Sequence, residues 1–186
     1  MVQKSKILGK PSIVFITIGT TSFQFNRLFK TLDEVLFESK SQMTAIIQGG
    51  KSTYNWKYKN IVTYEYLSRN KIITFINKAD KVITHAGFGT LYILSQYFRF
   101  MPLVVPRLAP YKEHIDNHQL YFSQYLKYKL PLSYNKYLVL KEGALKSTIH
   151  KYLKEKSRRN VFSNYIFNKK SKNKLVKKLN IYLQNT

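Results

Sequence analysis

Apolar residues along the chain fall into short β-branched runs separated by stretches of helical spacing. Residues 12–18, SIVFITI, form a compact apolar run closed by Gly19, the pattern of a buried strand. The segment after it places Phe25, Leu28, Leu32, Leu36 and Phe37 on one helical face. Residues 43–47 read as a second strand ending at QGG, and residues 61–66 as a third. Ile72, Ile73, Ile76 and Ala79 predict a short helix ahead of a strand over 81–84. A helix over 89–98, a strand over 101–105 closed by Pro106, and a helix over 114–126 complete the series. This alternation predicts an α/β fold with a Rossmann-like parallel sheet and helices on both faces. Such sheets bind ligands beyond the carboxyl ends of their strands. Three loops lie there: GTTSF from Gly19, THAGFGT from Thr84, and PRLAPYKEHIDNHQ from Pro106.

Past Pro131 the pattern changes. Leu145, Ile149, Tyr152 and Leu153 predict one amphipathic helix, and Leu175, Leu179, Tyr182 and Leu183 another. The expected division is therefore a Rossmann-like domain over 1–130 and a basic amphipathic helical tail over 131–186. The charge follows this division. Of the net +23, residues 127–186 contribute +14, sixteen Lys and Arg against Glu142 and Glu155. Anionic lipid, an acidic protein or nucleic acid would each attract such a tail, and a coding sequence biased to A and T would produce the same lysines. Nucleic acid is the poorest match, because the aromatic residues sit within apolar runs and no nucleic-acid-binding motif is present. The chain has no cysteine, which removes disulfides, thiolate metal sites and a cysteine nucleophile. It has no run of eighteen apolar residues, and residues 13–18 are too short for a signal sequence, so a cytoplasmic location is expected.

The chemistry must come from the three loops. In HAGFGT, Gly87 and Gly89 would let a diphosphate approach the next helix N-terminus, with Phe88 between them and Thr90 offering a hydroxyl. An ordinary tight strand-to-helix turn fits the same residues. In EHIDNHQ, His114, Asp116 and His118 alternate, but on the helix expected there residues two apart diverge, so no shared metal ion is expected. Thr20 and Thr21 could donate to a leaving phosphate, or simply cap the following helix. No nucleophile elbow and no paired carboxylates stand out.

Taken in order and spacing, VFITIGTTSF, ADKVITHAGFGT and PLVVPR followed by EHIDNHQL resemble the donor-binding half of glycosyltransferase family 28 enzymes. They are similar in particular to the small Alg13-like and PssE-like catalytic subunits of two-component UDP-sugar glycosyltransferases, which serve glycan, capsule and exopolysaccharide synthesis. The resemblance covers residues 12–127 or so. It implies a GT-B donor half, a UDP-sugar donor, a lipid-linked saccharide acceptor and a separate membrane-anchored subunit holding that acceptor, with the chain peripheral at the membrane. It implies no cofactor and no metal. Residues 85–90 would hold the diphosphate and Gly19, Thr20 and Thr21 would line the cleft. Glu113, Asp116, Asn117, His118 and Gln119 would meet the donor sugar, with Arg107 beside them, and His85 and His114 are the histidines expected in catalysis. Many relatives carry a glutamate for the ribose three residues after the threonine of HAGAGT. Here that position is Ile93, which would equally suit a non-catalytic binding subunit of such a complex, folded the same way with a decayed site. The GKP that often precedes the next strand is replaced by FRFMP.

Overall fold

The computed structural model describes residues 12–39 and 42–167. Five parallel strands form one sheet in the order β3-β2-β1-β4-β5: β1 (Ile13–Thr17), β2 (Thr44–Gln48), β3 (Ile61–Tyr64), β4 (Lys81–His85) and β5 (Leu103–Val105). In the centre, Ile16 lies opposite Ile47 of β2 and Ile83 of β4. Val14, Phe15 and Ile16 are wholly buried, which explains why β1 reads as a continuous apolar run and not an alternation.

The helices between strands are α1 (Asn26–Glu38), α2 (Arg69–Lys78) and α3 (Phe88–Tyr97). From β1 the chain winds outward through α1 to β2, and from β4 in the opposite direction through α3 to β5. Right-handed crossovers therefore set α1 on one face and α2 and α3, which touch each other, on the other. The point where the winding reverses lies between β1 and β4. In open α/β sheets that is where the carboxyl-end crevice forms.

After β5 the helix expected from residue 114 begins later, as α4 (His118–Lys129). Lys112 takes a left-handed conformation, φ 54°, after the short 3-10 turn Ala109–Tyr111, so residues 113–117 form a turn. The chain then crosses back as α5 (Leu145–Lys154) and the single-turn α6 (Phe162–Tyr165). Residues 131–167 share the core of the sheet: Ile149, Tyr152, Phe162 and Ile166 are buried in the same cluster as β1 and β4. The Val139 N–H donates to the Val104 carbonyl at 2.9 Å, extending the β5 edge. The Tyr152 hydroxyl accepts from the Val82 N–H at 3.1 Å and lies 3.0 Å from the Met101 carbonyl, spanning β4 and the approach to β5. The second amphipathic pattern, with Leu175, Leu179, Tyr182 and Leu183, lies outside the described residues. Among the described residues no helix is long and apolar enough to cross a membrane.

Candidate active site

The three loops singled out in the sequence meet at the carboxyl edge, over the β1–β4 crevice. His85 ends β4, and its ring is only 7% exposed. It is wedged between two glycines. A Cβ on Gly19, which has φ +80°, would lie 2.8 Å from His85 Nε2, and one on Gly87 would lie 2.1 Å from it. The two glycines of HAGFGT thus have different reasons. Gly87 makes room for the histidine, whereas a Cβ on Gly89 would meet nothing within 4 Å. Gly89 leaves backbone open to the crevice.

Gly87 is also the N-cap of α3, and no side chain caps that helix or places an acid in its first turn. Phe88 and Gly89 are exposed and Thr90 is half-buried. Opposite them Thr20 is exposed, and Thr21 accepts from the Phe23 N–H at 3.4 Å. An open helix N-terminus with its amides unshielded is a site for an anion. Burial pushes the His85 imidazole down to about 3, helped by the charges of Arg107, His114 and His118, with only the Thr17 backbone acting the other way. At neutral pH His85 is an uncharged hydrogen-bonding group.

Arg107, Glu113 and Gln119, expected to contact the donor sugar, are instead buried within the loop walls. The Arg107 guanidinium donates to the carbonyls of Phe23, Gln24 and Glu113 through Nη1, at 3.0 to 3.1 Å, and to that of Ile18 through Nη2 at 3.0 Å. Its charge sits over the Phe25 ring, 4.6 Å from the centroid. Gln119 Oε1 accepts from the Arg107 N–H. Glu113 receives two bonds from Arg27 of α1, at 2.8 and 2.9 Å, and a third from the Leu108 N–H. Asn117 Oδ1, half-buried, accepts from the Ala109 N–H. These polar groups serve one another and the backbone, and they hold the loop in shape.

Of the remaining candidates in this loop, Asp116 and His118 are exposed and His114 is half-buried. The His114 and His118 rings meet edge to face at 4.4 Å, and Phe23 stacks on His114 at 5.7 Å. Burial, then His118, lowers the His114 pKa, with Asp116 opposing. Burial raises the Asp116 pKa, but the His118 N–H and ring and the His114 ring outweigh it and hold the carboxyl below its ordinary value. His114, Asp116 and His118 do not diverge as they would on the expected helix: the chain bends over 113–117, and their ligand atoms lie within 4.8 Å of one another. In this structure the Asp116 carboxylate is used locally, accepting the His118 N–H at 3.0 Å and touching the His118 ring.

Two further residues shape the crevice without having been picked out in the sequence. Gln48, at the end of β2, accepts from the Thr17 hydroxyl at 2.8 Å and donates to the carbonyls of Gly19 and Glu65, tying three strand ends together. Asp33 of α1 is 1% exposed and accepts from the N–H groups of Lys57 and Tyr58 and from the Tyr54 hydroxyl. Asp33 did carry a signal, since it lies four residues after Phe29 and directly after Leu32, on the apolar side of its helix.

Residues 13–179 match the family model of the glycosyltransferase family 28 C-terminal domain. The chain belongs to that family. A solved structure described as "Crystal Structure Analysis of the Glycotransferase of kitacinnamycin" is similar in fold, with 12% identity and a TM-score of 0.50 over 82% of this chain. The likeness spans 37% of that chain, so this chain covers little more than a third of that protein's length. No curated protein matches this chain. The family places the fold as the donor-binding half of a GT-B glycosyltransferase. Ile93, in α3, is half-buried and packs against the hydrophobic core.

Proposed function

We propose that the chain is the donor-binding catalytic subunit of a UDP-sugar-dependent, inverting glycosyltransferase. It transfers a hexose or N-acetylhexosamine to a lipid-linked saccharide, with the acceptor half supplied by a membrane-anchored partner. The observation that carries this reading is the packing of Gly19 and Gly87 around the uncharged His85, beside the uncapped N-terminus of α3. In the reaction, the acceptor hydroxyl attacks the anomeric carbon, the new glycosidic bond forms and the bond from that carbon to the diphosphate breaks. The hydroxyl proton goes to a base on the partner, and UDP leaves with the bonding electrons. The charge that grows on the diphosphate is met by the first-turn amides of α3, by Thr90 and by Thr20 and Thr21, and the uncharged His85 supplies a hydrogen bond. Such fixed dipoles stabilise a leaving diphosphate without a metal ion. His114 and His118 face the donor sugar, held in place by Asp116.

Calorimetric titration with UDP tests this assignment. The wild-type chain binds UDP saturably, and Gly89→Val, which fills the open approach without touching the core, removes binding while the circular dichroism spectrum is unchanged. Equal UDP binding by a folded Gly89→Val protein overturns it.

A further inference from the structure

A cavity of about 420 Å³ opens beyond the carboxyl ends of β2 and β3, its lining free of His85 and of the HAGFGT turn. Its size falls in the roughly 300–1,000 Å³ range of small-molecule sites. Phe29, Ile47, Tyr54 and Trp56 form its apolar lining. Trp56 meets Tyr54 edge to face at 4.8 Å and Phe29 at 5.2 Å, and it stays part-exposed. Around the mouth stand Thr53 and Thr63, both exposed, and the ion pair of Lys51 with Glu65.

The loop that carries Tyr54 and Trp56 is unusually well held. Asp33 anchors it from beneath through three hydrogen bonds. From the side, Gln24 bonds to the Lys51 carbonyl and the Thr53 N–H, and the Ser52 hydroxyl accepts the Phe25 N–H. These last bonds join the cavity wall to the loop after β1, which also lines the His85 crevice. The aromatic wall is therefore prearranged next to the reacting centre.

We propose that this cavity binds an uncharged saccharide, at a site separate from the diphosphate turn. Aromatic rings carry a negative face that attracts the polarised C–H groups of a pyranose ring. Lys51 and Glu65 cancel in charge, so the rim offers donors and acceptors without a net field, which suits a polyol and not a diphosphate. Saccharide binding here does not rest on the glycosyltransferase reading.

Trp56 is the only tryptophan in the chain, so its fluorescence reports this cavity directly. The chain is titrated with cellobiose, lactose and N,N′-diacetylchitobiose, each with and without saturating UDP, and UDP binding is followed separately by calorimetry. The expected result is a saturable change in Trp56 emission with at least one disaccharide, retained in UDP. Thr53→Val and Glu65→Gln should each weaken it by up to about tenfold, the loss of one hydrogen bond. No response to any disaccharide, displacement of the disaccharide by UDP, or full affinity in both variants overturns the proposal. UDP binding without a disaccharide response removes the cavity and leaves the glycosyltransferase reading standing. A disaccharide response without UDP binding does the reverse.

Discussion

The Nε2 atom of His85 occupies the space in which a side chain on Gly87 would begin, 2.1 Å from where its Cβ would lie. Alanine at Gly87 therefore forces either the ring or the turn to move, at a cost of about 1–3 kcal/mol. In a His85→Ala background the obstruction is gone and the same substitution becomes nearly neutral. A double-mutant cycle by urea denaturation measures this coupling, and equal costs in the two backgrounds would contradict the packing.

The same burial makes stability pH-dependent. The imidazole falls from 6.5 in the unfolded chain to about 3 in the fold, so between these values the unfolded chain binds the extra proton. Stability is full above about pH 6.5 and is lost as pH falls toward 3, with a slope of up to about 1.4 kcal/mol per pH unit from His85 alone. His114, lowered in the same direction, adds to it. Urea midpoints measured from neutral to acid pH should show a shallower slope in His85→Asn than in wild type. Parallel slopes would mean that His85 protonates freely in the folded state.

Arg107→Lys keeps the charge and loses the fork. One ammonium has three donors on a single atom and cannot reproduce the spread of bonds to Ile18, Phe23, Gln24 and Glu113. A loss of roughly 2–4 kcal/mol is expected, with weaker UDP binding in the same protein. Wild-type stability would show that the buried guanidinium is dispensable.

Restoring the acid of other family members by Ile93→Glu should not improve nucleotide binding here. Ile93 packs against the core, so a carboxylate there costs about 1–3 kcal/mol of stability. A folded Ile93→Glu protein with tighter UDP binding and an unchanged urea midpoint would show that this helix face is free to meet the ribose.

Attraction of the basic tail to anionic lipid, one expectation raised by its charge, calls for a cut outside the shared core. A chain ending at Leu145 lacks Ile149, Tyr152, Phe162 and Ile166, all buried, and is expected to be unfolded by circular dichroism. A chain ending at Phe167 keeps them and is expected to fold. Sedimentation with anionic liposomes should then pellet the full chain and leave the shorter one in solution, at roughly 1 kcal/mol per basic residue near the surface. Equal pelleting would take the tail out of membrane attachment.

The alternation of strands and helices was legible because buried parallel strands and one-sided helices carry different periods, and each of the five strands falls within a residue or two of its apolar run. The start of α4 was not, because periodicity carries no trace of the left-handed Lys112 that delays it. HAGFGT pointed to a strand-to-helix turn at the carboxyl edge, yet residue type alone could not separate Gly87, which yields to a neighbour, from Gly89, which faces open space. The same ambiguity affected Arg107, Glu113 and Gln119. A polar side chain in a loop beside a crevice has the same letter whether it bonds a ligand or a backbone carbonyl, and only the fold decides.

One guanidinium, at Arg107, holds carbonyls from both the segment after β1 and the segment after β5. Neither segment can shift alone without stranding a buried positive charge, so the two behave as one mechanical part. Attempts to alter donor preference by grafting a single loop from another member would leave this clasp half-closed. Exchange of residues 18–24 together with 107–119, Arg27 included, is the smallest transplant that keeps it whole.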